Sequence, residues 1–351
     1  MDQEYTQRLN KIEAELERWL PASLSGNEQA LAEQIFQGIG KKAGAESIRF
    51  LLEPPKELLY RGGKRWRPLL MTLVCEALGG GDAAVPLSPL VEFSHNASLI
   101  HDDIEDESDE RRGKPAVHKL YGTDTAINSG SFFYFLSSCC IENYAAGGAI
   151  NDHQNKERIY KFWLDCMKNL HLGQAMDINW HRNISIIPNI DEYFIMCRMK
   201  TGSLARLAAT LGAFIAGASP EIVQKLSDAA EMMGVGFQIL DDVKNLTTGI
   251  PGKKRGDDIV EGKKSLPVLL YMQKYPEKRE MIYNCFNAAR NKGVVAPEVE
   301  EIIQALDKSG ILKEAEERGH LILKETQEIF SSLEFNEKKH ILLVNFINLI
   351  S

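Results

Sequence analysis

Apolar residues recur every three to four positions over most of this chain, the period of a helix with one buried face. Residues 5–20 keep that spacing until Pro21 ends it. Ser25-Gly-Asn27 predicts a capped helix to about residue 38. An apolar helix spans 69–78, and Gly79-Gly-Gly81 closes it. Pro86 and Pro89 open the next, which runs from Val91 into an acidic stretch. Residues 116–140 read as strongly helical, and 126–135 carry so few charges on any face that burial is expected. Gly147-Gly148 and Asn151-Asp152 mark a turn before a helix holding Trp163, Cys166, Leu170 and Asp177. The short run 184–187 could be a strand, but Pro188 follows and no partner is evident, so a loop is expected. Asp191 is read as the cap of a long helix running through Lys200-Thr-Gly202 to Gly217. Residues 220–246 form another, followed by a glycine- and lysine-rich loop to 264. Pro267 starts a helix, Pro297 sits in the first turn of one that Gly310 ends, and 311–351 keep the helical period. Helix after helix with almost no strand signal predicts an all-α protein, taken as a single domain over 1–351.

The polar exceptions to the pattern are concentrated. From Asp102 to Glu110 every residue except Ile104 and Ser108 is acidic. Asp102 and Asp106 share one helix face, where two carboxylates with no cation between them repel by several tenths of a kcal/mol. A hard divalent cation such as Mg2+ relieves that repulsion. Asp103, Glu105, Glu107, Asp109 and Glu110 are open to a plainer reading as solvated charge. Arg111 and Arg112 follow, a pair suited to bidentate diphosphate binding. Downstream, Asp241 precedes Asn245 by one turn, so a second acidic site could face the first and share metal with it. Upstream, Gly62-Gly-Lys-Arg-Trp-Arg-Pro68 offers a phosphate-binding turn, with Lys64, Arg65 and Arg67 supplying charge. Lys200, Thr201, Lys254 and Lys263 could close over a second diphosphate, whereas Lys253 and Lys264 are expected at the surface.

Composition narrows the partners. A formal net charge of -8 argues against nucleic acid or an anionic membrane surface. No apolar run approaches the roughly 18 residues that span a bilayer. The six cysteines lack CxxC spacing, and the first residues show no signal-peptide pattern, so a cytoplasmic protein with reduced thiols is expected.

In order along the chain, Gly62–Pro68, Asp102-Asp-Ile-Glu-Asp106 with Arg111-Arg-Gly113, Gly173-Gln174 with Asp177, Lys200-Thr-Gly202, Phe237-Gln-Ile-Leu-Asp-Asp242 and Gly262-Lys263 resemble a trans-isoprenyl diphosphate synthase of the polyprenyl synthetase family. They span 62–264, about three-fifths of the chain. The resemblance implies the isoprenoid synthase fold, an antiparallel helix bundle around a deep central cavity, and a homodimer. It implies isopentenyl diphosphate on Lys64, Arg67, His95 and Arg112, and an allylic diphosphate on Arg111, Lys200, Lys254 and Lys263. It implies Mg2+ on Asp102, Asp106 and Asp241. Thr201 and Gln238 would face the reacting carbons and stabilise an allylic cation. The residues themselves leave His95 equally readable as an ordinary helix histidine.

The second motif ends in Asn245, where many members carry Asp, which should weaken but not abolish metal binding there. That ending, with His95-Asn-Ala-Ser-Leu99 and Ala126-Ile-Asn-Ser129, is similar to eukaryotic-type geranylgeranyl diphosphate synthases. Ala97 and Ser98 lie one turn before Asp102 and are too small to stop a growing chain at fifteen carbons. Phe132, Phe133 and Tyr134 are candidates for a deeper floor, or plain helix core. Geranylgeranyl diphosphate is the expected product. Longer-chain or farnesyl products, a terpene cyclase and a non-catalytic synthase subunit are the alternatives.

Overall fold

The computed structural model describes residues 3–144, 152–249, 254–333 and 337–350. Helical periodicity becomes helix nearly everywhere: the described residues are 81% helical. Among the described residues the one sheet is a hairpin of two-residue strands.

α1 (Gln3–Trp19) buries Tyr5, Ile12, Leu16 and Trp19 along one side. α2 (Glu28–Ile35) is preceded by Asn27, whose side chain forms no cap bond, and it stops at Ile35, short of the expected end. A 3-10 turn, Gly38–Lys42, follows. α3 (Ala45–Tyr60) forms despite Pro54 and Pro55 inside it, both buried. α4 (Trp66–Ala77) is buried over nearly every position, as its unbroken apolar pattern requires. α5 (Ser88–Glu105) carries the acidic motif out of the core.

Residues 116–140 divide in two. Gly122, at φ 90, ends α6 (Val117–Tyr121) and starts α7 (Thr123–Glu142). Absence of charge on α7 does not bring burial on all sides: Phe133 is fully buried, but Phe135 is 65% exposed and Ile127 is also exposed. The turn expected at Gly147-Gly148 and Asn151 lies outside the described residues, and α8 covers Asp152–Arg182. Residues 184–187 are a loop, as expected. The helix after it is capped by Asn189, not Asp191. Asn189 Oδ1 accepts from the Glu192 amide at 2.9 Å, and the Glu192 carboxylate accepts from the Asn189 amide at 2.8 Å. This reciprocal pair satisfies two otherwise orphaned donors, and Asp191 sits inside the first turn. The expected long helix then comes as α9 (Ile190–Cys197), a π-helical turn (Arg198–Gly202) and α10 (Ser203–Ile215).

α11 (Pro220–Thr247) lies against α10 and against α16 (Ile311–Ser331). The late loop contains the single-turn α12 (Asp257–Glu261). α13 (Leu266–Lys274), α14 (Arg279–Lys292), α15 (Pro297–Lys308) and α17 (Glu337–Ile350) complete the bundle. Two apolar clusters hold it. The larger joins α1 to α8, α10, α11 and α17, and the smaller joins α9, α11 and α13–α16. α11 belongs to both, so its polar positions are placed between them. No described helix is long and apolar enough to cross a membrane, and the six cysteines form no disulfide.

Candidate active site

A cavity of about 300 Å³ opens between α4, α5, α8, α10 and α11. Arg67, His95, Ser98, Asp102 and Arg111 line it together with Lys200, Thr201, Gln238, Asp241 and Lys263. Residues separated by up to 196 positions in sequence therefore meet in one space.

On the acidic wall, Asp106 is the C-cap of α5, its amide donating to Asp102 O at 2.9 Å. Protein cations, not bare repulsion, surround both carboxylates. Lys200 Nζ lies 3.2 Å from Asp102 Oδ1 and 2.6 Å from Asp177 Oδ2. Lys263 Nζ lies 2.8 Å from Asp106 Oδ2, and Arg111 lies 3.3 Å from Asp102 Oδ2. Burial would pull Lys200 down, but the charges of Asp102 and Asp177 overcome it and hold the ammonium above its ordinary value. Lys263 behaves likewise through Asp106 and Glu261. Gln174 Nε2 donates to Asp102 Oδ1 at 3.0 Å and to Glu105 Oε2 at 2.6 Å. Burial, with the Asp102 charge adding, pushes Glu105 upward.

Asp103 is not solvated charge: it is fully buried and clamps Arg111, whose Nε donates to Asp103 Oδ1 at 2.7 Å. Glu107, Asp109 and Glu110 are exposed, in keeping with the plainer reading. Asp241 faces Asp102 across the cavity at its exposed mouth. Asn245 plays no such part. It is buried, and its Oδ1 accepts from the Asp258 amide at 3.2 Å, while its backbone carbonyl accepts from Gly256 at 2.9 Å. A neutral amide there fastens the late loop, which a charged carboxylate at 1% exposure would do at greater cost. Among the described residues no three His, Cys, Asp or Glu side chains converge on one point. Carboxylates on facing helices nevertheless fit Mg2+, which takes one or two of them and fills its shell with water and phosphate oxygens.

The basic turn is divided by role. Arg61 donates to Arg111 O and Pro115 O, each at 2.8 Å, and holds the hairpin β1 (Glu110–Arg111) and β2 (Lys114–Pro115). The two-residue loop of that hairpin is Arg112-Gly113, both at positive φ, the geometry of a tight hairpin turn. It returns Arg112 onto Asn96 Oδ1 at 3.2 Å and onto the Gly62 carbonyl. A Cβ at Gly63 would stand 3.1 Å from the Arg112 guanidinium, so glycine there admits it. Arg65 turns inward instead, to Glu13 at 2.8 Å and Glu92 at 2.9 Å, and its charge is spent on the fold. Arg67 is 8% exposed, lies over the Trp66 ring, and its Nε has no hydrogen-bond partner. Burial pushes Arg67 down to about 10, and Arg112 likewise to about 10. His95 is pushed well below its ordinary value by burial and then by the charges of Arg67 and Arg112, so it is neutral at pH 7. Lys64 and Lys254 are exposed and do not line the cavity.

Lys200 and Thr201 are placed by the π turn. Two glycines let the helices around it close up. A Cβ at Gly173 of α8 would come 2.5 Å from Lys200 N, and one at Gly234 of α11 would come 2.7 Å from Gly202 Cα. Thr201 Oγ1 donates to Gln238 Oε1 at 2.7 Å.

The apolar end of the cavity departs from expectation. Phe133 packs on Phe93 with ring centroids 4.8 Å apart, Phe132 stacks on Phe36, and neither lines the cavity. Tyr134 does, flanked by His101 and His171 at 5.4 and 5.3 Å. Ser98 lines the wall and Ala97 is buried behind it.

Lys264, expected at the surface, is 3% exposed; it lines the cavity and donates to Trp180 O at 2.6 Å and Gly262 O at 3.0 Å. Lys253 lies outside the described residues. Burial, with Arg290 nearby, pushes Lys264 down to about 8 from 10.5. Between those two values the unfolded chain binds the proton and the folded chain has lost it, so stability gained from this group rises with pH across that window. Urea melts of wild type and Lys264→Met should therefore diverge from pH 8 to 10, wild type gaining. Parallel curves would remove the shift.

Opposed carboxylates and guanidinium groups over an apolar floor, in an all-helical bundle, are what an enzyme of isoprenyl diphosphates requires. The chain belongs to the polyprenyl synthetase family, whose model matches residues 48–305, and is a trans-prenyltransferase. It is 35% identical over 263 residues to a short chain isoprenyl diphosphate synthase of Methanocaldococcus jannaschii, covering 74% of this chain and 77% of that one. It is 31% identical over 284 residues to a geranylfarnesyl diphosphate synthase of Aeropyrum pernix, covering 78% and 85%. The crystal structure of a geranylgeranyl pyrophosphate synthetase from Pyrococcus horikoshii superposes with a TM-score of 0.73 at 28% identity, over 92% of this chain and 97% of that one.

Proposed function

We propose that the enzyme condenses isopentenyl diphosphate with an allylic diphosphate and releases geranylgeranyl diphosphate. The observation that carries this is the pair Arg67 and Arg112. Neither guanidinium has a carboxylate in contact among the described residues, although Arg67 is buried. Burying an unpaired charge is costly, and an anionic ligand removes that cost. Opposite them, Asp102, Asp106 and Asp241 would hold Mg2+, which when bound neutralises a departing diphosphate. Arg67 lines the cavity that Asp102 and Asp241 also line, with Arg112 near Arg67, and two such sites suit two diphosphate substrates.

Arg67 and Arg112, with neutral His95 beside them, would bind isopentenyl diphosphate. Arg111, Lys200 and Lys263 would bind the allylic diphosphate, and exposed Lys64 and Lys254 would contribute by reaching over bound phosphates. As the allylic carbon–oxygen bond breaks, the oxygens of Thr201 and Gln238 face the developing cation and stabilise it. The isopentenyl double bond then attacks, and the proton lost passes to the departing diphosphate. Tyr134 between His101 and His171 would be the floor that the tail meets, with Ser98 leaving room above it. A homodimer is proposed from Ile127 and Phe135 of α7 and Leu164 and Leu172 of the adjacent α8, all exposed. A cytoplasmic site of action accords with six free thiols.

The test is an incubation with Mg2+, labelled isopentenyl diphosphate and the dimethylallyl, geranyl or farnesyl primer, followed by chromatography of the dephosphorylated products. A single twenty-carbon alcohol is expected. Longer products would keep the prenyl transfer and move the floor; no elongation from any primer would sink the reading. In the same assay Tyr134→Ala should shift the product to twenty-five carbons or more, and Phe133→Ala, in the core, should not. The reverse pattern would return the floor to Phe133.

A further inference from the structure

Asp242 follows Asp241 in sequence but, where Asp241 is exposed, it lies deep in the cavity wall at 5% exposure, with Tyr193 beside it. Three donors from three elements converge on it. Tyr193 of α9 donates its hydroxyl to Oδ2 at 2.7 Å, the Leu266 amide at the start of α13 donates to Oδ2 at 3.1 Å, and Gln238 Nε2 donates to Oδ1 at 2.9 Å. With the Tyr193 hydroxyl and the Leu266 amide donating to Oδ2, Asp242 leaves Oδ1 to accept from Gln238, and it is the amino end of the Gln238 amide that faces it. The carbonyl end is thereby turned to Thr201, whose hydroxyl hydrogen it accepts.

We infer that Tyr193 and Asp242 are positioning residues: they fix which end of the Gln238 amide, and which side of the Thr201 hydroxyl, is presented to the reacting carbons. This rests on the prenyl-transfer reading above. With the amide held this way, Gln238 Oε1 and the lone pairs of Thr201 are directed at the cavity, where electron-rich oxygens favour a carbocation. A reversed amide would aim N–H groups at it and oppose ionisation. Tyr193 contributes one of the two hydrogen bonds on Oδ2, and its ring is 1% exposed, with the buried Cys197 thiol as the other neighbour of its hydroxyl.

The experiment uses the full-length enzyme with Mg2+, isopentenyl diphosphate and farnesyl diphosphate, comparing wild type, Tyr193→Phe, Thr201→Val and the double variant. Tyr193→Phe should lower kcat by about tenfold while the KM for farnesyl diphosphate and the affinity for inorganic diphosphate stay unchanged. The double variant should be no slower than Thr201→Val, because Tyr193 acts through the same pair. Asp242→Asn, which keeps the shape but can donate as well as accept, should also lose kcat and not KM. An unchanged kcat in Tyr193→Phe, or losses that multiply in the double variant, would return Tyr193 to the core. Should wild type fail to elongate at all, the prenyl-transfer reading itself falls, and this inference with it.

Discussion

Asp102→Ala is expected to stop turnover, by about a thousandfold or more, the several kcal/mol that metal-held charge stabilisation supplies. The protein should nevertheless fold. Three groups that touch Asp102 have a second acceptor: Lys200 has Asp177 at 2.6 Å, Gln174 has Glu105 at 2.6 Å, and Arg111 has Asp103 at 2.7 Å. Neither Lys200 nor Arg111 is orphaned by the change, so for these two the large penalty for breaking a buried pair does not arise. Incorporation of labelled isopentenyl diphosphate together with a thermal melt separates the two effects. Near-normal incorporation would take Asp102 out of the metal set. A collapsed melting transition would show that the carboxylate serves the fold.

Gly173→Ala should cost both stability and activity, through a route that touches no ligand. Its Cβ would lie 2.5 Å from Lys200 N, 2.8 Å from Met199 Cβ and 2.9 Å from Met199 C. Two of those atoms are backbone and cannot rotate away, so α8 and the π turn must separate. Overpacking of this kind costs about 1–3 kcal/mol. Shifting Lys200 and Thr201 by even an ångström costs about a hundredfold in rate. Denaturant melts and kcat with farnesyl diphosphate measure these losses, and wild-type values in both would mean that the helix contact yields more easily than its geometry indicates.

Much of this was open to sequence reading because the helices obey their period and the motif residues lie at turn spacing along them. What periodicity missed has physical causes. A π turn inserts residues without changing composition, so the continuous pattern from 190 to 217 hid three segments. Gly122 is a single residue in an otherwise helical run, and only its positive φ breaks it. Asp103 and Lys264 read as surface in the sequence because charge is usually solvated. Yet Asp103 falls seven residues after Asn96 on the buried side of α5, a spacing that could have revealed it. Nothing local could have revealed Lys264, since its acceptors belong to α8 and to the loop behind it. The sequence could not choose among Phe132, Phe133 and Tyr134 for a simpler reason. Three consecutive aromatics on a helix point in three directions, and only packing against α5 and α8 shows that Tyr134 is the one turned inward.

Arg65 stands in a left-handed backbone conformation at φ 47 and is shared between Glu92 of α5 and Glu13 of α1. The segment that matches the family model begins only at residue 48. The functional unit of this enzyme is thus longer than its family signature. A redesign that grafts the shared segment onto another amino-terminus leaves Arg65 with Glu92 alone unless it brings a carboxylate to the place of Glu13.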